Sequence, residues 1–219
     1  MRLAWVAVSM LAVAALGAQA QDAMAVRAPG SDTVAPQGES PTVESGYVDV
    51  EGGRLFYEVA GEGNAVVLLH DGLLHRASWD GQFTVLARSY RVLRYDRRGY
   101  GLSTTPEAPF SHIRDLDAVL TALGIESAVL VGCSSGGELA LNYTLAHPER
   151  VRALLLVGPI VTGMPFTKHF STRGGRFFPT EQTTLDEVIE FFSNVDPYGI
   201  APENVEAKAR ANALLRECP

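Results

Sequence analysis

Lysine is almost absent from this chain, and its scarcity narrows the possible functions. Lys168 and Lys208 are the two lysines among 219 residues, and neither follows a glycine, which excludes a phosphate-binding loop ending in Gly-Lys-Ser/Thr. Arginine supplies most of the 18 basic residues, which are outnumbered by 25 acidic residues to give a net charge of −7. An acidic chain of this kind is a poor candidate for binding phosphate backbones, so no nucleic-acid partner is predicted. Hydrophobic residues make up 47% of the chain, which excludes disorder throughout.

Cysteine is equally scarce, with Cys133 and Cys218 as the two examples. Two cysteines without an H-E-x-x-H motif give little support for zinc, although His70, Asp71 and His75 lie close together in the sequence. The sequence therefore predicts no bound metal. A disulfide between the two cysteines is possible in an exported protein, whereas the alternative interpretation makes Cys133 a small, buried apolar residue.

The first twenty residues have the pattern of a targeting segment. Arg2 is the lone positive charge, an apolar run follows it, and Ala-Gln-Ala at 18–20 places small residues where a signal peptidase reads them. This pattern predicts a signal peptide over 1–20, export to the periplasm or the medium, and no stable membrane anchor after cleavage. A membrane-anchoring helix is the alternative, because the uncharged run over 3–21 is marginally long enough to span a bilayer.

The rest of the chain has the pattern of an α/β protein. Residues 21–44 are rich in Ala, Pro, Gly, Ser and Thr without apolar periodicity, which predicts a flexible linker. The strands predicted from alternation and apolar runs are 47–50, 54–59, 65–69, 91–95, 127–131 and 151–157; the predicted helices are 79–87, 112–123, 136–146, 185–193 and 202–215. This order predicts a mostly parallel, doubly wound sheet with an N-terminal hairpin over 45–159, followed by a helical segment over 160–219.

Gly132-Cys133-Ser134-Ser135-Gly136 is the strongest chemical motif, because it fits the pattern G-x-S-x-G. It follows a predicted strand and opens a predicted helix, which is the context in which such a serine acts as a nucleophile. The glycines remove Cβ atoms that would clash at a sharp turn, and the helix N-terminus favours developing negative charge. Ser134 has glycines at both required positions, whereas Ser135 would need one at position 133. Ser134 is therefore the predicted nucleophile, with a plain Gly/Ser-rich turn as the alternative.

His70-Asp71-Gly72 ends the third predicted strand and lies where a partner for this motif is expected. A backbone N–H of this loop and the N–H of Ser135 are predicted to point at the same oxygen, which would form an oxyanion hole. His70 has two interpretations, a general base or a structural hydrogen-bonding group. The structural interpretation is preferred, because His70 precedes the nucleophile and ends an apolar strand.

The loop after the fourth predicted strand contains a partial dinucleotide-binding pattern. Gly99 and Gly101 have the right spacing, but the third glycine is replaced by Thr104, so the match is weak and no nucleotide cofactor is predicted. We interpret the loop as a tight strand exit in which Asp96 and the two following arginines have a structural role.

In chain order, these motifs resemble the α/β-hydrolase superfamily, most closely its lid-bearing serine esterase, lactonase and C–C hydrolase branch. The resemblance covers about 46–159 and includes the segment Ala146-His147-Pro148-Glu149-Arg150-Val151. It implies that Ser134 is the nucleophile, that the N–H groups of Gly72 and Ser135 are the oxyanion donors, and that the substrate is a small acyl compound, with no cofactor. It also implies that 45–159 is the N-terminal part of the hydrolase core and 160–219 a partial helical lid. Asp71 stands where the family usually has glycine, and serine at 134 argues against the branches with a carboxylate nucleophile.

The family's catalytic acid and histidine have no match in this sequence. In the family they usually follow the seventh and eighth strands, both after the lid, and we expect those two strands to be absent here from a C-terminally truncated chain. The candidates after Ser134 for the catalytic acid and the catalytic base are His147, His169, Asp186 and Asp196. None stands at a family position, so no acid and no base is identified.

Three interpretations follow from this gap. The first is an exported serine hydrolase, incomplete as given, that forms an acyl-Ser134 intermediate. The second is a non-catalytic binding module, or a fragment that a partner completes. The third assigns an unusual base, with His169 as the candidate. Substrate identity and oligomeric state are not predicted.

Overall fold

The computed structural model describes residues 41–168, 183–195 and 204–217. The predicted signal peptide and almost all of the predicted linker lie outside the described residues, as do His169, Asp196 and Cys218.

One mixed sheet of six strands forms the centre of the described chain. The strands are β1 (Val43–Val50), β2 (Gly53–Ala60), β3 (Ala65–Leu69), β4 (Arg91–Tyr95), β5 (Ala128–Cys133) and β6 (Val151–Val157). Their order across the sheet is β1-β2-β4-β3-β5-β6. Pairing is antiparallel for β1–β2 and β2–β4 and parallel for β4–β3, β3–β5 and β5–β6. The predicted fold class is therefore confirmed, with the hairpin at one edge and the parallel strands beyond it.

The helices lie between and after these strands. They are α1 (Asp80–Leu86), α2 (His112–Ala122), α3 (Ser135–Ala146), α4 (Leu185–Glu190) and α5 (Val205–Glu217), with short 3₁₀ helices at Arg76–Trp79 and Pro148–Arg150 and a π-helical turn at Phe191–Val195. None of the helices in the described part of the chain is long and apolar enough to cross a membrane.

Both faces of the sheet are covered, which explains the unbroken apolar run of β3. Its five residues are all buried, and alternate side chains point to opposite faces. Val67 and Leu69 pack in the cluster that includes residues of α2 and α3, whereas Val66 and Leu68 pack with residues of α1 and the preceding 3₁₀ helix. Burying each such side chain stabilises the fold by about 1.5–3 kcal/mol. The doubly wound arrangement predicted from the sequence is the result.

The first strand extends two residues into the segment predicted as a linker. β1 begins at Val43, inside the segment predicted to be flexible, because Val43 pairs with Ala60 and Glu44 pairs with Val59. The tight turn at Gly52, whose φ is +75°, sets this register, and β1 then pairs along the whole length of β2. Because hydrophobicity before Tyr47 is low, the sequence pattern does not indicate that the strand begins at Val43.

The described residues after Met164 are mainly helical, as the sequence predicts, but with different boundaries. α4 begins at a capping box in which Thr184 and Glu187 exchange hydrogen bonds, and it gives way to a π-helical turn at Phe191. α5 begins at Val205, because Oδ1 of Asn204 accepts a hydrogen bond from the N–H of Ala207 at 2.9 Å.

Candidate active site

The predicted site residues lie at the carboxyl edge of the parallel strands. β3 is flanked by β4 on one side and β5 on the other, so the chain reverses its direction of winding at this point. Ligands of open α/β sheets bind at such a switch point, outside the carboxyl ends of the strands. The loop after β3 and the turn after β5 are in contact here, since a Cβ atom on Gly72 would lie 3.1 Å from Oγ of Ser135.

Ser134 has a strained backbone at the junction of β5 and α3. Its φ of 51° and ψ of −117° lie outside the regions that non-glycine residues prefer, and among the described residues no other non-glycine residue has a positive φ. Its N–H donates to the carbonyl of Val157 at 3.0 Å, and its own carbonyl accepts from the N–H groups of Glu138 and Ile160, each at 3.1 Å. These three hydrogen bonds hold the turn in place, and strain held in this way is typical of functional sites.

The two glycines of the motif are required by close backbone contacts. A Cβ atom on Gly132 would lie 2.5 Å from the carbonyl oxygen of Gly136. One on Gly136 would lie 2.3 Å from the carbonyl oxygen of Leu69 and 2.4 Å from that of His70. The spacing of the motif thus reflects how closely α3 approaches both β5 and the end of β3.

Asp71 organises the loop that carries Gly72. Oδ1 of Asp71 accepts hydrogen bonds from the N–H groups of Leu73 at 2.6 Å and Leu74 at 3.0 Å, while the hydroxyl of Tyr100 donates to the carbonyl of Gly72 at 3.1 Å. A carboxylate in place of glycine at this position therefore forms a local side-chain turn.

The N–H of Ser135 belongs to the first turn of α3, where backbone N–H groups have no intrahelical partner.

His70 is a neutral structural group, as the preferred interpretation of the sequence has it. Its Nε2 accepts from the backbone N–H of Arg97 at 3.0 Å, so the proton is on Nδ1, which donates to the carbonyl of Asp71 at 2.7 Å. The ring is fully buried. Burial, and secondly the charge of Arg97, hold the pKa of His70 well below its usual value of 6.5. Both ring nitrogens are occupied, which leaves neither for general-base catalysis.

Lowering the pH from about 7 to about 5 is expected to reduce the free energy of unfolding. The unfolded chain protonates His70 near pH 6.5, whereas the folded chain does so only at a much lower pH. The unfolded state therefore binds more protons below pH 6.5, and His70 costs up to about 1.4 kcal/mol per pH unit there. Urea unfolding at several pH values measures this slope, to which His112 contributes in the same direction because burial lowers its pKa to about 4. A flat profile would contradict the buried neutral state of His70.

The loop after β4 is held by buried polar contacts. The carboxylate of Asp96 is fully buried and accepts from the N–H of Leu102 at 2.9 Å, the N–H of Arg76 at 3.0 Å and Nη1 of Arg76 at 2.6 Å. Gly101 has a φ of +52°, and a Cβ atom there would lie 2.2 Å from Oδ2 of Asp96. This supports the structural role predicted for Asp96.

The sequence interpretation did not predict the contact of Arg97 with Ser135. Two adjacent arginines in a sequence do not indicate which of them contacts the site.

The two candidate bases or acids after Ser134 that the structure describes, His147 and Asp186, have contacts of their own. His147 follows the last residue of α3, and the 12 residues of this helix span about 18 Å. Its ring packs on Tyr143, near the C-terminal end of this helix. Asp186 is 79% exposed and forms an ion pair with Arg216.

Cys133 is free and lies between the glycine and the serine of the motif. Burial, with a smaller contribution from the charge of Asp71, raises the pKa of its thiol to about 12. Within the described ranges, no group of at least three His, Cys, Asp or Glu side chains is arranged to hold a metal ion.

Comparison with known proteins relates this site to one family. The family model described as alpha/beta hydrolase fold matches residues 64–197. The chain is 35% identical over 126 residues to 2-hydroxy-6-oxononadienedioate/2-hydroxy-6-oxononatrienedioate hydrolase of Comamonas testosteroni, covering 51% of this chain and 44% of that protein. It is 38% identical over 117 residues to 2-hydroxymuconate semialdehyde hydrolase of Pseudomonas sp. strain CF600, covering 50% of this chain and 41% of that protein.

Among solved structures, a protein described as an N-acyl homoserine lactone degrading enzyme superposes with a TM-score of 0.63 at 27% identity. This superposition covers 78% of the present chain and 65% of that protein. The chain thus spans less than half the length of these two curated relatives. The residues that the family model matches include the strained serine turn and the loop after β3. The chain belongs to the alpha/beta hydrolase fold family.

Proposed function

We propose that Ser134 is the nucleophile of a hydrolase that cleaves an ester, lactone or related acyl bond. The observation that carries this proposal is the backbone of Ser134, held at a φ of 51° and a ψ of −117° between β5 and the first turn of α3. Such strain persists only where surrounding contacts fix it, and it holds a serine side chain clear of the sheet beside free backbone N–H groups. The relatives named hydrolase and lactone degrading enzyme support the same class of chemistry.

In the proposed reaction, Oγ of Ser134 attacks the carbonyl carbon and its proton passes to a base. The π electrons of the carbonyl move to its oxygen, which the N–H groups of Gly72 and Ser135 receive. Collapse of this intermediate breaks the bond to the leaving group, which takes up a proton, and leaves an acyl-Ser134 ester. Water then attacks this ester: its oxygen bonds to the acyl carbon, the bond from that carbon to Oγ breaks, a proton returns to Oγ, and the carboxylic acid product leaves. No residue is assigned as the catalytic base or as the catalytic acid. The proposed reaction uses no cofactor.

A fluorophosphonate probe tests the role of Ser134 directly. Its phosphorus accepts Oγ while fluoride and a proton leave, so one adduct per chain is expected by intact-mass spectrometry. The chain is expressed with whatever coding sequence follows codon 219 in its gene. Ser134→Ala should abolish labelling, whereas Ser135→Ala, the matched control at the adjacent serine, should keep the adduct. Labelling that survives in Ser134→Ala would overturn the proposal.

A non-catalytic binding module, or a fragment completed by a partner, is the second candidate. Its support is the position of His147, which lies about 18 Å along α3 from the turn at Ser134 and is therefore too far away to act as its base. A cooperatively folded chain that resists the fluorophosphonate would favour this candidate. Labelling that is lost in His169→Ala would instead identify that histidine as an unusual base.

We also propose that the protein is exported to the periplasm or the medium. The support is the signal pattern of residues 1–20, with small residues at 18 and 20. The intact-mass measurement reports the N-terminus as well: the mature chain is expected to begin at Gln21, and an uncleaved leader on the exported protein would contradict this processing.

A further inference from the structure

Arg97 is a buried cation that contacts both segments of the proposed oxyanion hole. Its side chain follows the end of β4 and the residue is 3% exposed. Nη2 donates to the carbonyl of Asp71 at 2.6 Å and to Oγ of Ser135 at 2.9 Å. One guanidinium nitrogen therefore joins the loop after β3 to the first residue of α3.

The contact with Asp71 acts on the proposed donor through a shared peptide group. The carbonyl of Asp71 and the N–H of Gly72 belong to the same peptide unit. That carbonyl accepts two hydrogen bonds, one from Arg97 and one from Nδ1 of His70. Hydrogen bonds in a chain polarise one another, by roughly 10–30% per bond. The N–H of Gly72 is therefore a stronger donor than an ordinary backbone amide.

Within the described ranges, the charge of Arg97 is not paired with a carboxylate. None of the ion pairs between described residues involves Arg97. Its Nε has no hydrogen-bond partner among the described residues, and its guanidinium carbon lies 5.1 Å from the ring centre of Tyr100. Its charge also contributes to the lowered pKa of His70. A buried cation without a counter-ion among the residues that the structure describes produces a positive potential beside the site, where an oxyanion would form.

We infer that Arg97 is a positioning residue of the oxyanion hole, which polarises the Asp71–Gly72 peptide and fixes Ser135. The inference rests on the proposed function, because it concerns the oxygen of an acyl group attacked by Ser134. Arg98 has a different task, since its guanidinium is fully engaged by Asp115 on the α2 side of the loop.

The amide resonances of the full chain test the polarisation without requiring activity. In Arg97→Met, the amide proton of Gly72 should move upfield relative to the wild type, because its peptide carbonyl loses a charged donor. Arg97→Lys keeps the charge and should show a smaller shift. Arg91→Met is the matched control, since Nη2 of Arg91 donates to the carbonyl of Leu123 at 2.9 Å at the other end of β4. A Gly72 resonance that is the same in Arg97→Met and the wild type would overturn the inference.

Labelling kinetics separate this inference from the proposed function. Fluorophosphonate labelling of Ser134 is expected to slow roughly tenfold in Arg97→Met, which is less than the loss of a direct oxyanion donor, and to be unchanged in Arg91→Met. A wild-type chain that is labelled at the same rate as Arg97→Met would overturn the role of Arg97 and leave the proposed function intact. A wild-type chain that resists labelling, with the Gly72 shift present, would support the polarisation and contradict the acyl-enzyme.

If Arg97→Met does not fold, the wild type alone remains informative. A scalar coupling across the hydrogen bond, between the guanidinium nitrogen of Arg97 and the carbonyl carbon of Asp71, is expected from the distance of 2.6 Å. Its absence in the folded wild type would overturn the inference.

Discussion

Gly136→Ala is expected to destabilise the fold by at least about 3 kcal/mol, because the added methyl group would meet two backbone oxygens. Its Cβ would lie 2.3 Å from the carbonyl oxygen of Leu69 and 2.4 Å from that of His70. Neither oxygen can move away without shifting the end of β3, and α3 cannot retreat without disturbing the turn at Ser134. Small domains are typically stable by about 5–15 kcal/mol, so the loss is a large fraction of the total. Urea unfolding of the wild type and the variant measures it.

Gly81→Ala is the matched control for this substitution. Gly81 lies in α1, and no heavy atom stands within 4 Å of the position that its Cβ would occupy. Alanine there is expected to stabilise the helix by about 0.5–1 kcal/mol. If both variants unfold at the same urea concentration, the close approach of α3 to β3 is wrong.

Asp115→Leu is expected to cost about 3–5 kcal/mol, because it leaves the buried charge of Arg98 without a partner. Nη2 and Nε of Arg98 donate to the two carboxylate oxygens of Asp115 at 2.7 and 3.0 Å. The two side chains are 3% and 6% exposed, so water cannot replace the lost acceptor. The pair joins the loop after β4 to α2, and its free energy is measured by urea unfolding.

The double variant Arg98→Met/Asp115→Leu should recover most of this loss, since it removes the unpaired charge as well as the ion pair. Glu51→Gln provides the comparison at the surface, where Glu51 and Arg114 form an ion pair of 3.7 Å with both side chains largely exposed. No measurable change is expected there. A double variant that is less stable than Asp115→Leu alone would show that the pair stabilises the loop through its geometry and not through charge neutralisation.

Local patterns were sufficient to predict the architecture. The unbroken apolar run Ala65–Leu69 predicted a strand buried on both faces, and G-x-S-x-G between a strand and a helix predicted the turn that the structure places at Ser134. Both features depend on residues within a few positions of one another. The start of β1 at Val43 was not predicted, because it depends on pairing with Ala60, 17 positions later, and not on a local pattern.

Local sequence patterns could not predict the side-chain contacts across the site, because these contacts also join residues that are distant in the sequence. Arg97 and Arg98 are adjacent and chemically identical, yet one contacts Ser135, 38 positions away, and the other contacts Asp115 in α2. Which arginine turns toward which partner depends on the twist of the chain as it leaves β4. Asp71 is unusual for its position in the sequence. Its hydrogen bonds with the N–H groups of Leu73 and Leu74 depend on the three-dimensional path of the loop, which the sequence pattern does not specify.

The position of Cys133 has a chemical consequence for the neighbouring serine. With a pKa of about 12, its thiol has a thiolate fraction on the order of 10⁻⁵ at neutral pH. Peroxides, alkylating agents and disulfides all react with the thiolate, so the raised pKa slows each of these reactions at this sulfur. Two nucleophilic side chains, the thiol of Cys133 and the hydroxyl of Ser134, are therefore adjacent at this turn. Burial of Cys133 lowers the reactivity of its sulfur toward electrophiles, so that the serine hydroxyl is the group left to react.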